Sequence, residues 1–284
     1  MPSHAQRSYF ALRALNVELA SIKDSKERRT NSLDPSNATI ALTLRMTWWR
    51  QVLQELHNTD HSSTSTSSLW HHPVVRALYR AIQEKNLTRR FLERLVDARE
   101  ADLQIVQMAS LEDLVSYCED SSSSLLYLSL ECLGVRDDAA DQVAGMLGVA
   151  GGLTTAIRST IVRANRAELS IPADLLGTTK LRSDYFLARL DDTFDPKPEF
   201  EHVIQEAIQH MAYLASQQLS QVRERQADIP KHGKAILLHS VPTTVYLGKL
   251  KEANYNLWHS TLTSSDRQLV MLTMMGRVWW TGII

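Results

Sequence analysis

Apolar residues recur at three- and four-residue steps along almost the whole chain, the spacing of one buried helix face. Tyr9, Leu12, Leu15, Leu19 and Ile22 form the first such stripe. A polar stretch follows, ending in the loop signal Asp34-Pro35. Ile40, Leu44, Trp48 and Leu53 are the expected inward stripe of a second helix over 38–57. The Ser/Thr-rich segment at 58–70 reads as a mobile loop. Pro73 then suits the first turn of a helix to about Lys85, where its missing N–H costs nothing. A helix over 88–106 would turn Phe91, Leu95, Ala98 and Leu103 inward. Ser110-Leu-Glu-Asp113 has the form of a capping box. It opens a helix expected to run unbroken through Tyr117 and Leu125 to Leu133, with Gly134 as its terminator.

Asp137 opens a helix expected to end near Thr160 and rich in Ala and Gly, including Gly145, Gly148, Gly151 and Gly152. Small residues at these steps let another helix or a ligand approach closely. A long helix over 198–224 and two or three more reaching Trp280 complete the series. No period-2 run is long enough for a strand, and no fixed-length repeat is visible. The pattern predicts an all-α chain folded as a single domain over 1–284.

Composition narrows the possibilities. At 44% hydrophobic residues the chain can bury a sizeable core, which excludes global disorder. A formal net charge of -1 argues against a nucleic-acid partner. The two cysteines, Cys118 and Cys132, lie too far apart for a paired zinc motif and are too few for a disulfide scaffold. The apolar runs fall short of the roughly 18 residues needed to span a bilayer. Met1–Phe10 carries no apolar block of a secretory signal.

Candidate chemistry is sparse. Ser121–Ser124 is a serine run without a nucleophile elbow, and close helix packing explains it better. Phosphate-binding glycine loops are absent. Acidic groups occur at Glu119-Asp120, Asp137-Asp138-Asp141 and Asp191-Asp192-Asp195. Carboxylates at i, i+4 on facing helices could hold Mg²⁺ against a diphosphate. The second group, however, reads as a helix N-terminus and the third as a loop. Trp48-Trp49 and Trp279-Trp280 are expected in the core or at an interface.

Several segments, in order, resemble the squalene/phytoene synthase family. Tyr9-Phe-Ala-Leu-Arg13-Ala-Leu-Asn16-Val-Glu18-Leu is similar to its first helix, and Leu44-Arg45-Met46-Thr-Trp-Trp49-Arg50 to its RMQxWR segment. Tyr117-Cys-Glu-Asp-Ser resembles its YCxxVAGxVG helix. Gly151-Gly-Leu-Thr-Thr-Ala-Ile-Arg158, followed by Leu169-Ser-Ile-Pro172, resembles its second aspartate block. The resemblance implies an isoprenoid-synthase-like helical bundle around a central cavity. It also implies two Mg²⁺-binding aspartate clusters, and both are replaced. Asn16, Val17 and Ala20 stand at the first, Ser159, Val162 and Arg163 at the second.

The implied reading is a pseudoenzyme with no catalytic residues, no metal and no cofactor. Arg13, Asn16, Glu18, Arg45, Tyr117, Arg158 and Arg163 are candidates for its vestigial cavity and diphosphate region. Ion pairing and helix capping are the simpler role for these arginines. Glu18 is expected to face Arg158 and Arg163 and to close the cavity mouth without metal.

Phe10–Ala20, Asn86-Leu-Thr88 and Ser123–Leu128 are closest to the branch of the family that assembles respiratory complex I. That branch implies complex I subunits or other assembly factors as partners. It also implies a place at the matrix side of the mitochondrial inner membrane, with peripheral membrane association. The first family helix begins almost at Met1, so a cleavable presequence is expected to be missing or to lie outside this sequence. The alternatives are a divergent prenyltransferase and a prenyl-lipid-binding protein.

Overall fold

The structure, a computed structural model, describes residues 2–25, 35–58, 68–179, 181–191, 193–263 and 268–284. It is all-α. Among the described residues the only extended pairing is a single parallel bridge between Gln107 and Leu169. The elements are α1 (Ser3–Asp24), α2 (Pro35–Asn58), a 3-10 turn (Ser68–His71), α3 (Pro73–Lys85) and α4 (Arg89–Asp102). Then come α5 (Leu111–Cys118), a π turn (Glu119–Ser123), α6 (Ser124–Cys132), α7 (Asp138–Ala164), α8 (Ala173–Leu176) and α9 (Ser183–Ala188). The chain continues with α10 (Pro198–Arg225), a 3-10 turn (Lys234–His239), α11 (Ser240–Glu252), α12 (Ser260–Thr263) and α13 (Gln268–Thr281). The segment expected as a loop at 58–70 lies mostly outside the described residues; Asn58 ends α2 and Ser68 opens the 3-10 turn.

α7 is the hub. It packs against α5, α6, α9, α10, α11 and the π turn. Its glycines explain the closeness of one crossing. A Cβ on Gly148 would lie 2.4 Å from the Cα of Ser123, so only a residue without a side chain fits there. Ser123 Oγ donates to the Gly145 carbonyl at 2.9 Å across the same contact. The serine run thus serves packing: Ser121, Ser123 and Ser124 are all buried.

Local signals were sound where a cap or a proline spoke. The Ser110–Asp113 capping box forms reciprocally, and Asp137 Oδ1 accepts from the Ala140 N–H at 2.9 Å. α3 starts at Pro73 and ends at Lys85. Gly134 follows α6 with φ +77°, the left-handed turn that glycine adopts freely.

Three expectations need correction. Ile40 and Leu44 point to solvent, 57% and 63% exposed, while Leu42, Met46, Trp49, Leu53 and Leu56 are buried. Both phases of α2 carry apolar residues, and packing on α1 and α4 chose the second. The helix from Ser110 is broken by the π turn at Glu119–Ser123, and α4 stops at Asp102 rather than 106. The expectation of core or interface for the two tryptophan pairs is not overturned: Trp48 and Trp49 pack, edge to face at 4.9 Å, and Trp279 and Trp280, 52% and 89% exposed, lie outside the core, which leaves the interface alternative.

Candidate functional site

A cavity of about 350 Å³ lies among α1, α4, the π turn, α6, α7 and α11. Leu125, Leu126, Leu147, Gly148 and Gly151 make its apolar wall. Ser121, Ser122, Thr154 and Thr155 add hydroxyls. Three guanidinium groups reach it from three helices: Arg13 from α1, Arg99 from α4 and Arg158 from α7. No carboxylate is among the lining residues. Three cationic side chains and no anionic one border the same space, so the cavity favours an anion and disfavours a cation.

Arg99 and Arg158 are held in place. Arg99 Nη1 donates to the Tyr117 hydroxyl at 2.8 Å, and Nη2 to Asn16 Oδ1 at 3.4 Å. Arg158 stacks over the Tyr246 ring at 5.4 Å. His239 closes the side nearest α1, with Nε2 3.4 Å from the Tyr9 hydroxyl and Nδ1 3.1 Å from the Ile236 carbonyl. Burial lowers the His239 pKa from its usual 6.5, and the charge on Arg13 adds to this. The imidazole is therefore neutral at neutral pH.

A base whose folded pKa is depressed binds fewer protons folded than unfolded, so stability is lost as pH falls through the window below 6.5. Replacing His239 by Gln should flatten the fall in unfolding free energy below pH 6.5, measured by denaturant titration. An unchanged pH profile would contradict the assignment.

Beyond the cavity the ends of α1, α4 and α7 are tied by four charges. Lys23 Nζ lies 3.2 Å from both Asp102 and Glu168. Arg163 Nη2 lies 3.1 Å from Asp102, and its Nε 3.3 Å from Glu168. Lys23 also donates to the Asp102 and Ile105 carbonyls at 2.7 and 3.1 Å. Asp102 and Glu168 are buried. Two cations and two anions balance in this knot, which is what lets them leave water.

These placements sort the residues singled out in the sequence. Arg13, Asn16 and Arg158 line the cavity. Tyr117 stands behind it, accepting the bond from Arg99, and burial raises its pKa. Arg45 does not line it; Nη1 donates to Ser25 Oγ at 3.0 Å and ties α2 to the end of α1. Arg163 belongs to the charged knot. Glu18 also lies off the cavity lining, and among the described residues no ion pair joins it to Arg158 or Arg163. The expected pairing of Glu18 with Arg158 and Arg163 does not form; Arg163 pairs instead with Asp102 and Glu168, away from the cavity lining.

Sequence reasoning missed Arg99, Asp102, Lys23 and His239. A signal existed for two of them. Leu92, Leu95, Val96, Arg99 and Asp102 share one helical stripe, so two charges sit on an apolar face. Three of the other acids singled out in the sequence have partners of their own. Asp120 pairs with Arg94 at 2.5 Å, Tyr127 donates to Glu119 at 2.6 Å, and Asp191 accepts from Thr193. Asp192 lies outside the described residues. Burial pushes the Cys118 and Cys132 thiols up to about 12, so both stay protonated.

The family model for squalene/phytoene synthase matches residues 1–274. The chain belongs to the squalene/phytoene synthase family. It is 30% identical over 278 residues to "NADH dehydrogenase (ubiquinone) complex I, assembly factor 6" of Rattus norvegicus, covering 98% of this chain and 75% of that one. In fold it is similar to squalene synthase HpnC from Alicyclobacillus acidocaldarius, with TM-score 0.67 at 17% identity over 90% of this chain and 86% of that one. A dehydrosqualene synthase aligns with TM-score 0.68 at 16% identity, over 99% of this chain and 89% of that one.

The magnesium sets expected of a family synthase do not fit this donor chemistry. Mg²⁺ requires hard oxygen ligands, chiefly carboxylates. Here the cavity presents guanidinium groups; the Asn16 amide oxygen is engaged by Arg99, and Arg163 is committed to Asp102 and Glu168. Among the described residues no group of three His, Cys, Asp or Glu side chains is placed to hold a metal ion.

Proposed function

We propose that this chain is a non-catalytic member of the squalene/phytoene synthase family that serves assembly of respiratory complex I in mitochondria. Its partners are complex I subunits or other assembly factors, met at the matrix face of the inner membrane. The observation that carries the pseudoenzyme reading is the cavity lining: three arginines, one amide and no carboxylate. A diphosphate leaving group needs divalent cations to neutralise its developing charge, and this lining repels them. The names of the relatives support the assembly role.

A second reading, a carrier for an amphipathic anion, draws on the same cavity. Its apolar wall and cationic rim would suit a phosphate-bearing lipid held without turnover.

Thermal unfolding with farnesyl diphosphate, with and without Mg²⁺, separates the readings. A ligand at 100 times its dissociation constant adds about 2.7 kcal/mol to stability. The proposal expects no Mg²⁺-dependent rise in Tm and no release of diphosphate. A rise without metal would favour the carrier. A rise that requires Mg²⁺, with turnover, would overturn the pseudoenzyme reading.

A further inference from the structure

α13 buries one face and leaves the other bare. Val278 is buried, and Met271, Met274 and Met275 pack half-buried against the core. Leu272, Trp279 and Trp280 project on the opposite arc, at i, i+7 and i+8. Trp280 is 89% exposed, and Ile283 beyond the helix is exposed too. Beside Trp279 a groove of about 430 Å³ is lined by Pro2, His4, Lys231, His232 and Lys234 among others, with no carboxylate in its lining. Lys231 and His232 are exposed. Gly282, at φ +64°, brings the chain against the Lys234 stem: a Cβ there would lie 2.5 Å from the lysine Cδ. The one charged residue of α13 is Arg277, also exposed.

We infer that this face docks on an anionic lipid bilayer, with Trp279, Trp280 and Leu272 entering the headgroup boundary and Lys231, Lys234 and Arg277 meeting acidic headgroups. Charge decides the occupant: the apolar arc is flanked by cations alone within the groove and helix. Tryptophan prefers the membrane–water boundary, where its ring is apolar and its N–H stays wet. No helix among the described residues is long and apolar enough to cross a membrane. α13, with 14 residues, is about 21 Å long against about 30 Å of hydrocarbon, so it lies in the surface. The inference shares with the proposed function only the placement at a membrane.

Sedimentation of the full chain with vesicles tests it, using phosphatidylcholine alone and phosphatidylcholine containing one-third phosphatidylserine. The expected result is binding to the mixed vesicles only, weakened by salt. Trp279→Ser with Trp280→Ser should lower partitioning about tenfold. Lys231→Gln with Lys234→Gln should lower it about fivefold per lysine, the equivalent of about 1 kcal/mol each. The lysine pair leaves the apolar face intact, so its loss reports charge rather than misfolding. Wild-type protein left in the supernatant, equal binding to neutral vesicles, or variants that bind like wild type would each overturn the inference. A concentration-dependent dimer abolished by the tryptophan pair would reassign the face to a second copy of this chain. Failure on vesicles leaves the complex I role standing, and normal complex I without the protein leaves vesicle binding standing.

Discussion

Asp102→Ala should destabilise the protein by about 3–5 kcal/mol, the cost of leaving buried charges without their counterion. Asp102 is 3% exposed and contacts both Lys23 and Arg163. Removing it leaves two cations against a single Glu168 at the junction of α1, α4 and α7. Lys23 cannot swing fully into water, since it is also bonded to two backbone carbonyls. Denaturant unfolding of wild type and variant measures the difference. Glu18→Ala is the control: with no ion pair to either arginine, it should stay within about 0.5 kcal/mol of wild type. If Asp102→Ala costs less than Glu18→Ala, the knot does not hold the helix ends.

The second large effect belongs to Gly148. An added Cβ would lie 2.5 Å from the Ser123 nitrogen and 2.4 Å from its Cα, both backbone atoms that no side-chain rotation can move. Gly148→Ala must push α7 away from the π turn, at a cost of about 1–3 kcal/mol or more. Gly151 makes the comparison. A Cβ there meets only Thr243 Oγ1 at 3.8 Å, an ordinary contact. Gly151→Ala should be neutral or stabilising by up to about 1 kcal/mol, because alanine suits a helix better than glycine. Equal unfolding midpoints for the two variants would contradict the packing described.

The all-α class was legible because the apolar spacing is helical nearly everywhere, and caps at Ser110 and Asp137 marked helix starts without tertiary help. The phase of α2 was not legible. Its two apolar phases, Ile40-Leu44 and Leu42-Met46, differ only in which neighbours they meet. The π turn escaped for a similar reason: Ser121 Oγ donates to the Tyr117 carbonyl at 2.6 Å, a local detail invisible to periodicity. Of the cavity, Arg13, Asn16 and Arg158 could be picked out because their segments resemble a family. Arg99 and Asp102 lie in a segment without such a motif, and only their position on an apolar stripe gave them away. His239, Pro242 and Thr243 reach the cavity from far along the chain, so nothing local links them to Arg13.

The measurement that bears most directly on the proposed function is complex I assembly itself. Native gels of mitochondria from cells lacking this protein should show complex I lost or stalled as smaller assemblies. Re-expressing the wild type should restore it, and Asn16→Ala, which leaves no side-chain oxygen donor at that position, should restore it equally. Fully assembled complex I in cells without the protein would contradict the account.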